Sequence, residues 1–167
     1  MDALRQVESW EVGTAAVAVV GPEGVRARVG PHERALPWAS VTKLATALAA
    51  LGRDLLEPSL VAPETLGEAT TVAFPGLVGV LPGFGRMEPN DWGLGFELRD
   101  AKEPHWTGSR NSPVTFGHFG RSGTFLWVDP EARLALACLT DREFGDWAKE
   151  AWPRLSDAVL AEAQSSE

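Results

Sequence analysis

The 167-residue chain contains one cysteine, no tyrosine and only three lysines. The single thiol, Cys138, excludes an internal disulfide, and its apolar neighbours predict a buried, unreactive side chain. The scarcity of lysine and a net charge of −8 argue against a nucleic-acid partner, because such binding depends on clustered Lys and Arg. No apolar run is long enough to span a bilayer, and the N-terminus lacks the apolar core of a secretion signal. We therefore expect a cytoplasmic protein without a nucleic-acid or membrane partner.

The composition and the length are those of one ordinary globular domain, residues 1–167. Apolar residues make up 44% of the chain and charged residues 23%, which is enough apolar surface for a hydrophobic core. Apolar periodicity and turn signals predict these elements: helix 2–9, a hairpin of strands 13–21 and 25–30, helix 38–51 ending at Gly52, helix 63–70, an irregular segment 74–90, strands 92–99, 115–128 and 134–140, and helix 144–163, kinked or split by Pro153. Alternation in the second strand puts Arg26 and Arg28 on one face and Val25 on the other. The order predicts an α/β fold of the α+β type, with an antiparallel five-stranded sheet flanked by N- and C-terminal helices.

The segment Ser40-Val-Thr-Lys43 opens the apolar helix 38–51 and offers a nucleophile and a base. Residues three apart share a helical face, so the Ser40 hydroxyl can meet the Lys43 amine. Serine needs a neighbouring base to attack a carbonyl at neutral pH, and a desolvated lysine can supply it. The free N–H groups at a helix start suit an oxyanion. The alternative is a Ser40 that only caps the helix and a solvated Lys43, and the spacing alone does not decide between them.

A glycine-rich strand pattern contains the second candidate, His118. It reads Phe116-Gly-His118-Phe-Gly120-Arg121-Ser-Gly-Thr. Glycine weakens a strand unless something approaches the backbone closely. A strand edge that hydrogen-bonds a substrate needs that openness and would place His118 beside the substrate. The alternative is a bulged edge strand in which His118 has a structural role.

The two motifs together resemble those of the β-lactamase-related, penicillin-recognising serine hydrolases. The likeness rests on residues 38–48 and 116–130, and it is greatest to the branch that contains class C β-lactamases, D-alanyl-D-alanine peptidases and family VIII esterases. The match extends over most of the chain. It implies a β-lactamase/transpeptidase-like α/β domain that needs no cofactor and no metal.

The resemblance also implies a role for each motif residue. Ser40 would be the acylated nucleophile and Lys43 its proton acceptor. His118 and Gly120 would stand where the family has a Lys/His/Trp-x-Gly triplet on its third sheet strand. The backbone N–H groups of Ser40 and Arg121 would form the oxyanion hole.

The chain departs from the family in one element. The family has a Tyr-x-Asn or Ser-x-Asn on a loop of an inserted all-helical domain, and its Tyr or Ser helps to return the proton to the leaving group. This chain has no tyrosine, and Ser109-Arg-Asn111 lies too close to the third strand to replace that loop. We therefore expect residues 52–90 to be a shortened segment from which most of the helical domain is missing, by natural loss or by excision.

These observations predict a weak serine hydrolase that acts on small esters, amides or β-lactam-like compounds through an acyl-enzyme. His118 would partly replace the missing tyrosine, because an imidazole titrates near neutral pH. Two alternatives stay open: a catalytically inactive, domain-deleted scaffold, and a ligand-binding or sensor module of the same fold. The protein would be a monomer, or a homodimer if the missing domain leaves an apolar face exposed.

Other side chains give weaker signals. Trp38 and Trp106 are candidates for a substrate pocket. Arg121 is a candidate to meet a substrate carboxylate, with a solvated ion pair as the alternative. Asp91 and Glu97 lack the paired spacing of a glycosidase and are predicted to be solvated. The three histidines are too scattered along the chain to indicate a metal site.

Overall fold

The computed structural model describes residues 1–31 and 41–165, and over residues 41–48 it describes the backbone alone. The elements are a 3-10 helix (Asp2–Ser9), β1 (Ala15–Gly21), β2 (Gly24–Val29), α1 (Val41–Leu56), α2 (Pro63–Ala69), β3 (Gly79–Leu81), β4 (Gly85–Met87), β5 (Glu97–Leu98), β6 (Phe116–Gly120), β7 (Thr124–Asp129), β8 (Leu134–Thr140) and α3 (Asp146–Gln164). The α+β class predicted from the sequence is confirmed.

The main sheet has six antiparallel strands in the order β2–β1–β8–β7–β6–β5, and β3 and β4 form a separate hairpin. The prediction of five strands is wrong by one, because residues 115–128 form two strands instead of one. The turn between β6 and β7 contains Gly123 at a φ of 77°, a left-handed conformation that glycine adopts without strain. The predicted strand 92–99 is also reduced to a pairing of two residues, β5, with an isolated bridge at Trp92.

The two faces of the sheet bury different elements. The N-terminal 3-10 helix and α3 cover one face, where a large core contains the fully buried Trp127 and Trp152. The other face packs against α1, which lies over β8, β1 and β7. The core on that side is smaller and includes Leu55 of α1 and Ala135 of β8. This α1 face holds both cavities described below.

The sequence predicted that helix α1 ends at Gly52, but the helix continues to Leu56. A Cβ atom at Gly52 would lie 2.9 Å from the Cβ of Ala135 on β8. Glycine occupies position 52 because the helix lies very close to the sheet, and its presence does not mark a helix end.

The predicted face of β2 is also wrong, because the ladder with β1 contains a register shift between Val19 and Val20. Val20 pairs with Val25 and Ala18 pairs with Arg28. Directly paired residues share a face of the sheet. Val25 and Arg28 therefore lie together on the α1 face, whereas simple alternation separates them.

Two further expectations concern single residues. Helix α3 runs through Pro153 as one element, so the proline does not split it. Cys138 is buried as predicted, and burial raises the pKa of its thiol far above the ordinary value. Over the described ranges, no helix is both long and apolar enough to cross a membrane.

Candidate active site

His118 lies in the middle of β6 on the α1 face of the sheet. It pairs with Leu126 of β7, whose side chain packs against the core beneath α1. The next residue, Phe119, points to the opposite face, where its ring centroid lies 5.9 Å from that of Trp152. Because side chains alternate along a strand, the anchoring of Phe119 in the large core directs His118 to the α1 face. The imidazole is exposed there.

The hydrogen bonding of His118 defines which nitrogen is basic. Its Nδ1 lies 2.7 Å from the backbone oxygen of Phe119. A carbonyl oxygen only accepts, so Nδ1 donates its hydrogen and Nε2 is the basic nitrogen of the neutral ring. No residue in the described part of the chain forms a hydrogen bond with Nε2. The ring of Trp92 meets the imidazole at a centroid distance of 5.5 Å, a neighbour that the sequence did not single out.

A cavity of about 350 Å³ lies between α1 and strands β6 to β8. His118 and Gly120 border it, together with apolar side chains such as Leu51, Leu55 and Phe116. A small apolar cavity with a few polar groups at its edge is typical of sites for small organic molecules. His118 is therefore in a position to meet a bound molecule.

The remaining motif residues lie at the start of α1. The helix begins at Val41, the residue that follows Ser40 in the chain, and Lys43 belongs to its first turn. Ser40 and Trp38 lie outside the described residues, and only the backbone of Lys43 is described. The contact between Ser40 and Lys43 and the pocket role of Trp38 stay predictions.

The two glycines of β6 lie in different surroundings. A Cβ at Gly117 would collide with the backbone oxygen of Leu126, so the neighbouring strand β7 requires this glycine. A Cβ at Gly120 would meet the Oγ1 of Thr124 at 3.0 Å, and its nearest backbone atom would be the nitrogen of Ser122 at 3.9 Å. The neighbouring strand thus does not require a glycine at position 120, and the contact of Gly120 with a substrate stays a prediction.

Arg121 follows Gly120 in the turn after β6. Its guanidinium is exposed and its Nε lies 3.8 Å from a carboxylate oxygen of Glu143. Such a solvated pair contributes little to stability. The side chain is free to turn towards a bound anion, which stays a prediction.

A buried charged cluster lies beside β5, next to the strand that bears His118. Glu97 accepts hydrogen bonds from Lys102 Nζ at 2.6 Å, from His105 Nε2 at 2.9 Å and from Trp106 Nε1 at 2.6 Å. The backbone N–H of Thr107 donates to His105 Nδ1 at 3.2 Å, so Nδ1 is an acceptor and Nε2 carries the hydrogen. The predictions of a solvated Glu97 and of a pocket-lining Trp106 are wrong, because both are 1% exposed.

The charge states in this cluster follow from its contacts. Burial lowers the pKa of His105 below its ordinary value despite the hydrogen bond to Glu97, so the ring is neutral. Burial would raise the pKa of Glu97, but the hydrogen bonds and positive charge of its partners outweigh that effect and lower it. Lys102 therefore balances the charge of Glu97. Asp91, also predicted to be solvated, is 8% exposed. Within the described ranges, no group of three His, Cys, Asp or Glu is placed to hold a metal ion.

Comparison with known proteins decides the family. Residues 4–160 match the family model described as β-lactamase. The chain belongs to the β-lactamase family. A β-lactamase from Mycobacterium bovis is 34% identical and superimposes with a TM-score of 0.87, over 96% of this chain and 99% of that one. Members of the family are typically serine hydrolases with an acyl-enzyme mechanism.

Longer proteins share the fold over part of their length. A penicillin-binding protein homologue from Caulobacter crescentus is 25% identical, with a TM-score of 0.52 over 69% of this chain and 30% of that one. A mutant of simvastatin synthase from Aspergillus terreus is 15% identical, with a TM-score of 0.53 over 76% of this chain and 35% of that one, and it shows the fold alone. This chain thus spans about a third of both. No curated protein sequence matches it.

Proposed function

We propose that this member of the β-lactamase family is a serine hydrolase that acts weakly on small esters through an acylated Ser40. The supporting observation is the position of His118, which borders a small apolar cavity beside α1 and whose Nε2 has no hydrogen-bond partner among the described residues. That helix begins directly after Ser40 in the chain. A nucleophile, a base and an apolar cleft are the minimum for acyl transfer.

The reaction divides into two steps. In acylation, Ser40 Oγ attacks the ester carbonyl while Lys43 takes its proton, and the bond to the alkoxy oxygen breaks. The backbone N–H groups of Ser40 and Arg121 stabilise the intermediate oxyanion. Lys43 passes the Ser40 proton through His118 Nε2 to the alcohol as it leaves. In deacylation, water loses a proton to His118 Nε2 and attacks the acyl carbon. Ser40 Oγ then leaves the acyl carbon and takes up that proton, and the carboxylic acid is released.

The low activity follows from the proposed loss of most of the helical domain over residues 52–90. In this structure the segment contains the end of α1, the seven-residue α2 and the short β3–β4 hairpin. Such a segment provides little of a second cleft wall and no tyrosine to return a proton. Substrate positioning accounts for several kcal/mol of a barrier. We expect short-chain activated esters to react and β-lactams to turn over poorly.

A fluorophosphonate probe tests the proposal. The full chain is incubated with the probe, its intact mass is measured and the adduct is mapped, with Ser40→Ala as the negative control. Ser122→Ala, in the exposed turn after β6, is the matched control that should still react. An adduct on Ser40 together with turnover of short-chain esters supports the hydrolase. An adduct without turnover indicates a non-turnover ligand-binding module, and a folded chain without an adduct is an inactive scaffold.

A further inference from the structure

A second and larger cavity, of about 720 Å³, lies on the other side of α1 from His118. It opens between the helix and the β2–β1–β8 side of the sheet, whereas the His118 cavity opens towards β6 and β7. Small-molecule sites typically measure roughly 300–1,000 Å³, so the volume suits a small organic ligand. The reaction proposed above does not use this cavity.

This cavity is here called the β1–β8 cavity. Its floor is formed by small apolar side chains. Ala16 and Ala18 of β1 and Ala137 of β8 face Ala49 and Ala50 of α1 across it. Small side chains on both elements leave open a space that larger residues would fill in a close-packed interior. The described residues that line it include no aromatic side chain. This lining favours a flexible aliphatic group over a ring that needs stacking.

Two arginines add a positive charge to the β1–β8 cavity. Arg28 lies on the same sheet face as its partner Ala18 because of the register shift in β2, and Arg53 belongs to α1. Arg53 Nε donates to the backbone oxygen of Pro22 at 2.9 Å. Neither guanidinium forms an ion pair with any carboxylate of the described residues. Both are therefore available to an anion.

The carboxylates that line the same cavity already have partners. Oδ1 of Asp54 accepts hydrogen bonds from the backbone N–H of Ser59 at 2.8 Å, from its hydroxyl at 2.6 Å and from the backbone N–H of Leu60 at 3.0 Å. Glu57 pairs with Arg133 at 2.9 Å. Among the described residues that line the cavity, Glu57 is thus neutralised by Arg133 and Oδ1 of Asp54 is occupied by three donors, whereas the two arginines have no ion-pair partner.

From these observations we infer that the β1–β8 cavity binds a small aliphatic carboxylate, with its chain on the alanine floor and its carboxylate at Arg28 and Arg53. The apolar floor supplies the affinity through burial of the chain. Arginine supplies the selectivity for a carboxylate, because its planar N–H groups match the two oxygens. A medium-chain fatty acid has both parts.

The test uses decanoate, below its micelle concentration, and the full chain with ¹³C-labelled alanine and leucine methyl groups, so that Leu51 and Leu55 report on the His118 cavity. The expected result is saturable shifts of the Ala18 and Ala137 methyls. Arg28→Gln and the double variant with Arg53→Gln should weaken binding about tenfold or more, the usual effect of losing a charged hydrogen bond. The side chain of Arg28 forms no hydrogen bond or ion pair with another described residue, so its variant should keep the fold. Decanol should bind less tightly than decanoate.

Two controls separate this site from its surroundings. Arg26→Gln removes a charge from the same strand outside the cavity lining and should leave binding unchanged. Ser40→Ala should also bind decanoate normally, because the inference does not depend on hydrolysis. The proposal is overturned by absent or unsaturable binding, by equal affinity for decanol, by an equal effect of Arg26→Gln, or by shifts confined to the His118 cavity.

Discussion

Lys102 Nζ lies 2.6 Å from Glu97 Oε1, and both side chains are withdrawn from solvent. The ammonium group also donates to the backbone oxygens of Asp91 and Leu98, so all three of its hydrogens are used. Leu98 belongs to β5, and Asp91 precedes the residue that meets His118. One buried cation thus holds together the edge of the sheet that the candidate active site needs.

Removal of that cation should strongly destabilise the fold. In Lys102→Met the Glu97 carboxylate stays buried without its counter-charge, which costs about 3–5 kcal/mol in comparable pairs. Urea unfolding measures the loss. The double variant Glu97→Gln with Lys102→Met should lose less than the sum of the two single variants. Additive losses would mean that the two charges are not coupled.

Stability should also fall as the pH drops below neutrality. The pKa of folded His105 is lowered from its ordinary value of 6.5, so below pH 6.5 the unfolded chain binds the proton first. The stabilisation that comes from His105 is therefore present above pH 6.5 and is lost as the pH falls towards the pKa of the folded state. Glu97 acts in the same direction at lower pH, because its folded pKa lies below the ordinary 4.5.

Urea unfolding between pH 8 and 5 tests this dependence, with His105→Gln as the comparison. The variant keeps a donor for Glu97 but cannot titrate, so its stability should change much less between pH 7 and 5.5. A variant with the same slope as the parent chain would show that another group is responsible.

The sequence predicted the local elements and the family, but not the contacts between distant segments. The continuous apolar run of β8 and the periodicity of α3 are local patterns, and both elements form as expected. Glu97 was predicted to be solvated because the sequence gives it no paired carboxylate, and it lies in the edge strand β5. Residues 99–115 fold over that edge and bury it, a tertiary event that no local pattern records. The two motifs were visible as residue types, whereas the orientation of His118 required the packing of Phe119.

The close approach of α1 to the sheet predicts that a larger residue is not tolerated at Gly52. Gly52→Ala should destabilise the protein by about 1–3 kcal/mol, because the new Cβ would lie 2.9 Å from Ala135 and overpack the interface. Gly67→Ala in α2 is the matched control, since nothing lies within 4 Å of its Cβ position. That variant should gain about 0.5–1 kcal/mol from helix propensity. Thermal unfolding of both variants measures the difference, and Ala135→Gly should rescue Gly52→Ala.

The role of His118 can be separated from that of the nucleophile. His118→Gln keeps a group that can donate to the Phe119 carbonyl but removes the basic Nε2. Ester turnover should fall by about a hundredfold, the usual contribution of a general acid–base group. Labelling of Ser40 by the fluorophosphonate should persist, because Lys43 still accepts the Ser40 proton. Trp92→Phe, which keeps an aromatic ring beside residue 118, should retain the rate of ester turnover. Unchanged turnover in His118→Gln would return His118 to a purely structural role on β6 and leave the proton transfers to Lys43 and water.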